Sequence, residues 1–266
     1  MSAPKWWDAP WAADSSQDPD KGWSSEANPT NEQAWHVTSV PVDFSDDIIL
    51  KPLEEQFGQV RSRQRVRDLA EVFTHQREVD AMLHMVADAF TALDVTFLEP
   101  TCGSGNFLVE ILSRKLQLVN KHDCLSQEHY EHRLLRSVAS IYGVDISMDN
   151  VTEARARMVH TLLSHYQADA PTVEPTVGFL NAAALIIGDN IMLGDCLNDA
   201  DRLEFCDWQP SAGGCFQRVW SCALVPEHEQ TLFWQERIQD TEPVHYSALV
   251  PPATTSKTKR GPRKNS

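Results

Sequence analysis

Apolar residues recur three or four positions apart in several stretches of this chain, which predicts helices that bury one face. We expect these helices to alternate with short apolar runs. The helical stretches carry their apolar residues at Ile48, Ile49, Leu50, Leu53 and Phe57 within 46–70; at Val79, Met82, Leu83, Val86 and Phe90; at Phe107, Leu108, Ile111, Leu112, Leu116 and Val119; at Tyr130, Leu134, Leu135 and Val138; at Val151, Ala154, Met158, Leu162 and Tyr166; and from Phe179 to Ile187.

Three short apolar runs between those helices are predicted to be strands. They cover 95–99, 141–145 and 190–195. Strands that alternate with helices predict a βαβαβ unit, which is half of a doubly wound parallel sheet. Further on, the runs 205–208 and 216–220 flank a Gly-Gly pair at 213–214, and this pattern predicts a β-hairpin.

The length of 266 residues accommodates one α/β domain with tails. We expect a disordered acidic arm at 1–40, the main domain at 41–200, the hairpin with a C-terminal extension at 201–250, and a basic disordered tail at 251–266. Tryptophans are dotted through the arm, where they either dock on the body or a partner or are incidental. These tryptophans are Trp6, Trp7, Trp11, Trp23 and Trp35.

The net charge is −15, and the five basic residues of the tail leave residues 1–250 at −20. An acidic body repels phosphate unless a basic face is segregated or a partner supplies one. Alternate arginines lie near the start of the main domain; they form either a solvated helix face or a phosphate-contacting surface. These arginines are Arg61, Arg63, Arg65 and Arg67.

The chain shows no apolar run long enough for a membrane span and no apolar signal core at its start, so we expect a cytoplasmic protein without a membrane contact. Its six cysteines are scattered, which fits reduced thiols. Four residues form a weak alternative as zinc ligands with irregular spacing, and we expect no metal. They are Cys206, Cys215, Cys222 and His228.

The main chemical signal lies where the first strand meets its helix. The strand ends at Glu99, and a turn with Gly103 and Gly105 leads into the helix. Glycine lets a ligand approach the backbone, and a new helix points unpaired N–H groups at the turn. This layout is typical of a nucleotide-type ligand site, although purely structural turns share it.

The second and third strands also end in acids. Asp145 is placed to accept hydrogen bonds from ribose hydroxyls, or alternatively to act as a turn or helix-capping residue, as Ser147 or Asp149 could. Asp195 ends the third strand, and a carboxylate there accepts well from an amino group. The three strand ends together predict one pocket.

Four motifs resemble those of S-adenosylmethionine-dependent DNA methyltransferases, specifically the amino-methylating enzymes of restriction-modification systems. Residues 99–107, Glu-Pro-Thr-Cys-Gly-Ser-Gly-Asn-Phe, resemble the family's Asp-Pro-Ala-Cys-Gly-Ser-Gly loop, and they depart from it at Glu99 and Thr101. Residues 71–75, Glu-Val-Phe-Thr-His, resemble its Glu-Val-Phe-Thr-Pro motif, with His75 in place of proline. Gly-Val-Asp-Ile at 143–146 and Gly-Asp at 194–195 match the later motifs.

The resemblance covers roughly residues 60–200 and implies an α/β Rossmann-like methyltransferase fold, truncated or completed by another subunit. It implies S-adenosyl-L-methionine as cofactor, with Thr74 at its methionine end, Asp145 at its ribose and Asp195 at its adenine. The implied cofactor-binding residues are Thr74, Glu99, Thr101, Cys102, Gly103, Ser104, Gly105, Asn106, Phe107, Asp145, Ile146, Asp195 and Cys196.

One family motif is missing: Asn or Asp, then Pro-Pro and an aromatic residue, which holds the target amine and stacks the flipped base. No catalytic residue can therefore be named. We expect an adenine-specific DNA methyltransferase, or its cofactor-binding part, from a restriction-modification or mobile-element system. DNA is the expected partner, contacted directly or through a partner chain. The alternatives are a non-catalytic S-adenosylmethionine-binding or decoy protein and a methyltransferase for small molecules or proteins.

Overall fold

The computed structural model describes Asp20 and residues 74–198, 200, 203–222 and 238–251. Its α-helices are α1 (Gln76–His84), α2 (Asn106–Leu116), α3 (Gln127–Ala139), α4 (Met148–Asp169) and α5 (Val177–Asn190). Its strands are β1 (Phe97–Glu99), β2 (Ile141–Asp145), β3 (Ile191–Leu193), β4 (Glu204–Ser211), β5 (Cys215–Cys222), β6 (Ile238–Gln239) and β7 (Val244–His245). Short 3-10 helices cover Ala87–Thr91, Lys121–Asp123 and Tyr246–Ala248.

Several sequence predictions lie outside the described residues. They concern the tryptophans of the arm, the helix at 46–70, the alternate arginines, His228 and the basic tail beyond 251. Within the described helices, none has both the length and the apolar character needed to cross a bilayer.

The first three strands form a parallel sheet in the order β1-β2-β3. Glu99 lies opposite Gly143, and Asp145 lies opposite Leu193, so the carboxyl ends of all three strands reach the same edge. The sheet confirms the predicted alternation of strands and helices, and it makes this part of the chain an α/β structure.

Helices and a hairpin cover opposite faces of the sheet. Leu108 of α2 lies over Gly143, whereas Tyr142, the residue before it on β2, donates its hydroxyl to the carbonyl of Cys206 on β4 at 2.9 Å. Successive side chains of a strand point to opposite faces, so α2 and β4 flank β2. This arrangement leaves the carboxyl edge of the sheet to the loops.

The helical periodicity is confirmed for α3 and α4. Each predicted apolar residue of these helices is at most 1% exposed, because the residues fall on one face and pack into a shared core. The predicted residues of the loop-following helix are buried as well, except that Phe107 is only partly buried. Val119 is buried beyond the end of α2.

The prediction for the first described helix is wrong beyond His84. α1 ends there, and Val79 and Leu83 are buried while Met82 and Val86 are about half exposed. The following 3-10 turn redirects the chain so that the Phe90 ring stacks on Phe97 of β1, with centroids 4.8 Å apart. Packing against the sheet therefore replaces a continuation of the helix.

The third strand is also shorter than predicted, because Asn190 belongs to α5 rather than to β3. Asn190 is 1% exposed, and its side-chain amide donates to the carbonyls of Ala139 and Ile141. Its side-chain oxygen accepts from the Trp208 indole N–H at 3.0 Å. A buried amide with these partners joins helix directly to strand without a loop.

The hairpin prediction is confirmed by β4 and β5, which pair antiparallel around the turn at 212–214. β6 and β7 add to the same sheet through β5. Cys206 pairs with Trp220 and Cys215 with Ser211, so the two cysteines lie about 16 Å apart along the ladder. This separation removes the basis for a shared zinc site that includes both.

Candidate functional site

The loop between β1 and α2 is fixed to the neighbouring strand. The Cys102 N–H donates to the Val144 carbonyl of β2 at 2.9 Å, and the Gly105 N–H closes the turn onto the Cys102 carbonyl at 2.9 Å. Gly103 and Gly105 have φ values of +54° and +87°. Side chains disfavour this left-handed region, which explains why glycine occupies both positions.

The two glycines have different surroundings. A Cβ on Gly105 would lie 3.0 Å from Cβ and 3.2 Å from Cα of Ala154, so Gly105 permits the close packing of α2 on α4. A Cβ on Gly103 would meet no atom of the described residues within 4 Å. Within that part of the chain, Gly103 faces open space, which is where a ligand could approach the loop backbone.

Asp145 joins the loop to the end of β2. Its Oδ2 accepts from the Gly103 N–H at 2.9 Å, and its Oδ1 accepts from the Ser147 N–H at 2.8 Å and from the Asn150 amide at 3.0 Å. Asp145 therefore has the turn-forming role that the sequence offered as the alternative to ribose binding. Oδ2 accepts one of these bonds, and a carboxylate oxygen has room for a second, so the same residue can also receive a hydroxyl.

Glu99 closes the first turn of the loop. Its Oε1 accepts from the backbone N–H of Thr101 at 3.3 Å and from the Thr101 hydroxyl at 3.4 Å. The Glu99 side chain bends back on its own loop at the end of β1, opposite Gly143, and Asp145 ends β2 two residues further on. The two carboxylates make this edge of the sheet electronegative.

Asn106 connects the loop to the upstream motif and to α4. Its side-chain N–H donates to the Thr74 carbonyl at 3.1 Å, and its Oδ1 accepts from Arg157 at 2.7 Å. The same Arg157 Nη1 donates to the Ser104 carbonyl at 2.7 Å. Thr74 of the upstream motif is thus brought together with Ser104 and Asn106 of the glycine loop at the start of α2.

The end of β3 lies beside the end of β2, because the Gly194 N–H donates to the Asp145 carbonyl at 3.0 Å. The Asp195 carboxylate accepts from the Asn198 side chain and from the N–H groups of Leu197 and Asn198. These bonds, the side-chain bond above all, lower the pKa of Asp195, which stays ionised. Ile146 is 59% exposed beside Asp145.

The two cysteines of the site are poor nucleophiles. Burial, reinforced by the charge of Asp145, raises the pKa of the Cys102 thiol to about 12. Burial and then the charge of Asp195 raise the pKa of Cys196. Since the thiolate is the reactive form, these shifts disfavour covalent chemistry at both residues, and Cys102 packs in the core.

The beginning of α2 offers free donors. Gly105 caps this helix without a side-chain bond. Within the described part of the chain, no acceptor meets the N–H groups of Asn106, Phe107 and Leu108. Unpaired N–H groups at a helix N-terminus favour an anionic group nearby.

Sequence reasoning missed two residues that hold this site together. Asn150, in the first turn of α4, donates to Asp145. Arg157, two turns further along α4, donates to the Ser104 carbonyl of the loop. Both lie on a helix with a clear apolar face, where polar residues pass as solvated positions. Their spacing from Asp145 was the only available signal, and it is too common to identify them.

A groove of about 380 Å³ lies away from this edge, between the C-terminal half of α2 and α4. It is lined by Ser113, Leu116, Gln117, His160, Thr161, Ser164 and His165.

Among the side chains that the structure describes, no group of three or more His, Cys, Asp or Glu is placed to hold a metal ion.

Comparison of the chain with protein-family models, with curated proteins and with solved structures finds no match.

Proposed function

We propose that this chain is the S-adenosylmethionine-binding part of an amino-methylating DNA methyltransferase of the adenine type, with a Rossmann-like fold and a cytoplasmic location. The observation that carries the proposal is the bond between Gly103 and Asp145, at the shared edge where β1, β2 and β3 end. It is supported by hydrogen bonds that link the described residues of the four motifs near this edge: Asn106 to Thr74, Gly103 to Asp145, and Gly194 to Asp145, across about 120 residues from Thr74 to Gly194.

The residues at the edge suit the chemistry of the cofactor. The free N–H groups at the start of α2 suit its carboxylate, and the acids Glu99 and Asp145 suit its positive sulfonium centre and ribose hydroxyls. Asp195 is an ionised acceptor for the adenine amino group. The open space over Gly103 leaves room for an approach to the backbone.

In the proposed mechanism, this chain binds and orients while another group activates the target. When bound, S-adenosylmethionine would supply an electrophilic methyl group to the target nitrogen, with S-adenosylhomocysteine as the leaving group and loss of one proton from that nitrogen. Arg157 and Asn106 hold the loop, and Asp145 fixes the angle between the loop and β2. The residue that accepts a hydrogen bond from the target amine comes from a partner chain with the Asn/Asp-Pro-Pro-aromatic motif, which this sequence lacks.

Isothermal titration calorimetry of the full chain with S-adenosylmethionine tests the proposal. We expect saturable one-to-one binding, which Gly103→Asp abolishes because a third carboxylate would crowd Glu99 and Asp145. Circular dichroism should show that the variant keeps its fold, and Gly213→Asp in the hairpin turn serves as the control. Absence of binding by the wild-type chain would refute the proposal.

A second function is favoured by the acidic charge of −15 and the missing tetrapeptide: a non-catalytic S-adenosylmethionine-binding or decoy protein of a restriction system. Methyltransferases for small molecules or proteins form a third class, which needs no basic face. A transfer assay with labelled cofactor and duplex DNA, with and without neighbouring gene products, separates them. Transfer to DNA only with a partner supports the split enzyme, whereas binding without transfer supports the decoy.

A further inference from the structure

α3 carries a cluster of basic side chains at the amino-terminal end of the sheet, opposite the edge where Gly103 lies. The cluster consists of His129, Arg133 and Arg136, whose side chains are 6%, 23% and 7% exposed. Two of these side chains are more than nine-tenths buried, so their positions are fixed by packing. Such a cluster requires an anion, because buried guanidinium groups are unfavourable without one.

Arg136 is shared between two carboxylates. Its Nε and Nη2 donate to Asp94 at 3.0 and 2.6 Å, and this bidentate pair fixes the plane of the guanidinium. Its Nη1 donates to Oδ1 of Asp20 at 2.9 Å. One guanidinium cannot neutralise both acids, so the second carboxylate needs further positive charge.

The other two members of the cluster supply what Asp20 needs. Arg133 Nη1 lies 3.6 Å from its Oδ2, and His129 Nε2 lies 3.3 Å from its Oδ1. His129 Nδ1 accepts from the Leu125 N–H, which leaves the ring proton on Nε2, facing Asp20. Two arginines then balance two acids, and a neutral histidine completes the hydrogen bonds.

The pKa of Asp20 agrees with this arrangement. Burial by itself raises that pKa, but the charges of Arg136 and Arg133 and the bond from His129 bring it below its ordinary value. The carboxylate is therefore bound in its ionised form.

We propose that α3 contains a carboxylate-binding site whose occupant is Asp20, so that the acidic N-terminal arm is anchored to the body at the end of the sheet opposite the candidate cofactor site. The chemical class of the ligand is a single aspartate side chain, which accepts hydrogen bonds from His129 and Arg136 and forms an ion pair with Arg133 on the same helix face. The inference is independent of the proposed function, because none of its residues touches the loop at Gly103.

A double-mutant cycle in the full chain tests the anchoring. Asp20→Asn and Arg133→Gln should each lower the midpoint of urea unfolding, and the double variant should lower it no further than the larger single change. Asp88→Asn removes the same charge at an exposed, described carboxylate and should show no coupling with Arg133→Gln. Additive shifts for Asp20 and Arg133 would overturn the proposal.

Hydrogen exchange gives a second readout, which reports the local opening of α3 without denaturant. In Asp20→Asn, peptides that cover 127–139 should exchange several-fold faster than in the wild type, whereas Asp88→Asn should leave them unchanged. Equal exchange in all three proteins would also overturn the proposal.

Discussion

The Asp145 carboxylate accepts a 2.9 Å hydrogen bond from the backbone N–H of Gly103, 42 residues earlier in the chain. This bond fixes the end of β2 against the loop that follows β1. The carboxylate thus defines the shape of the edge before any ligand binds, and it belongs to the fold as much as to the candidate site.

Replacing Asp145 should therefore affect both stability and binding. The Asp145 carboxylate now accepts from three donors, the N–H groups of Gly103 and Ser147 and the Asn150 amide. Asp145→Asn replaces one carboxylate oxygen by an NH2 group, which cannot accept, so at least one of these hydrogen bonds is lost. We expect the free energy of unfolding to fall by about 1.5–3 kcal/mol, the range for hydrogen bonds to a charged group. Urea unfolding and calorimetry measure the two effects. Asp88→Asn, at an exposed carboxylate, should change neither.

The two loop glycines should separate binding from stability. In Gly103→Ala the new methyl group enters open space, so the cost is the left-handed backbone alone, about 1 kcal/mol. The methyl group nonetheless lies where the cofactor would approach, so we expect the binding affinity to fall at least tenfold.

Gly105→Ala should behave differently, because its methyl group meets backbone and side-chain atoms of Ala154 at 3.0–3.2 Å. Overpacking of this kind typically costs about 1–3 kcal/mol in addition to the backbone strain. The midpoint of thermal unfolding should fall further in Gly105→Ala than in Gly103→Ala. The reverse order would mean that the packing of α2 on α4 is looser than the structure indicates.

Arg157 is predicted to position the loop without touching the cofactor. Arg157→Lys keeps the charge but replaces the planar guanidinium whose Nη1 donates to both the Ser104 carbonyl and Asn106 Oδ1, and the shorter ammonium group cannot keep both bonds in place. We expect a roughly tenfold weaker affinity for S-adenosylmethionine, equivalent to about 1.4 kcal/mol, and faster hydrogen exchange at 103–107. Arg77→Lys, at an exposed pair on α1, is the control. Unchanged exchange in the loop would contradict the positioning role.

The sequence was sufficient to predict the elements that repeat a simple period. Val151, Met158 and Tyr166 fall on one face of α4, and their burial follows from spacing alone. The strands ending at Glu99 and Asp145 were recognisable because each combines an apolar run with a terminal acid. Their convergence at one edge then follows from the parallel sheet.

The parts that sequence reasoning missed depend on contacts between distant residues. Nothing local marks Asn190 as the last residue of a helix rather than the first of a strand, since its partners are 18 to 51 residues away. Phe90 leaves the helical pattern because it stacks on Phe97. Asp20 meets α3 across more than 100 residues, a separation at which composition and periodicity carry no information.

Glu131 is a further residue whose role only the structure reveals. This fully buried carboxylate accepts five hydrogen bonds, which link α3 to α4, to the start of α5 and to the segment after β7. The donors are the Gln127 amide, the hydroxyls of Tyr166 and Tyr246, and the N–H and hydroxyl of Thr176. Both oxygens of an ionised carboxylate accept hydrogen bonds, whereas the amide of glutamine accepts only at its oxygen and donates at its nitrogen.

Glu131→Gln should accordingly be severely destabilising, although it is nearly isosteric. The new amide group would face donors, and at least two of them would lose their acceptor. We expect a loss of about 2–4 kcal/mol in the free energy of unfolding. Glu128→Gln, three residues earlier and 48% exposed, should cost under about 1 kcal/mol. Similar losses in both variants would show that burial of Glu131 contributes little.

Lys115 gives a prediction for pH dependence. This fully buried residue of α2 donates to the carbonyls of Leu93 and Val95 and to the Ser140 hydroxyl at 2.6–2.8 Å. Burial lowers its pKa to about 7, and the charge of Asp94 opposes that shift. The amine of the unfolded chain titrates at its ordinary value of 10.5.

Between pH 7 and 10.5 the unfolded chain therefore binds one proton more than the folded chain at this residue. The free energy of unfolding should rise with pH in that window, by at most about 1.4 kcal/mol per pH unit, and below pH 7 the effect disappears. Buried thiols and phenols have the opposite effect on stability at high pH. The informative quantity is therefore the free energy of unfolding of the wild type minus that of Lys115→Met. Urea unfolding at pH 6, 7, 8 and 9 should show this difference increasing only above pH 7, and Lys121→Met serves as the control. A difference that stays constant with pH would mean that Lys115 remains protonated in the folded protein.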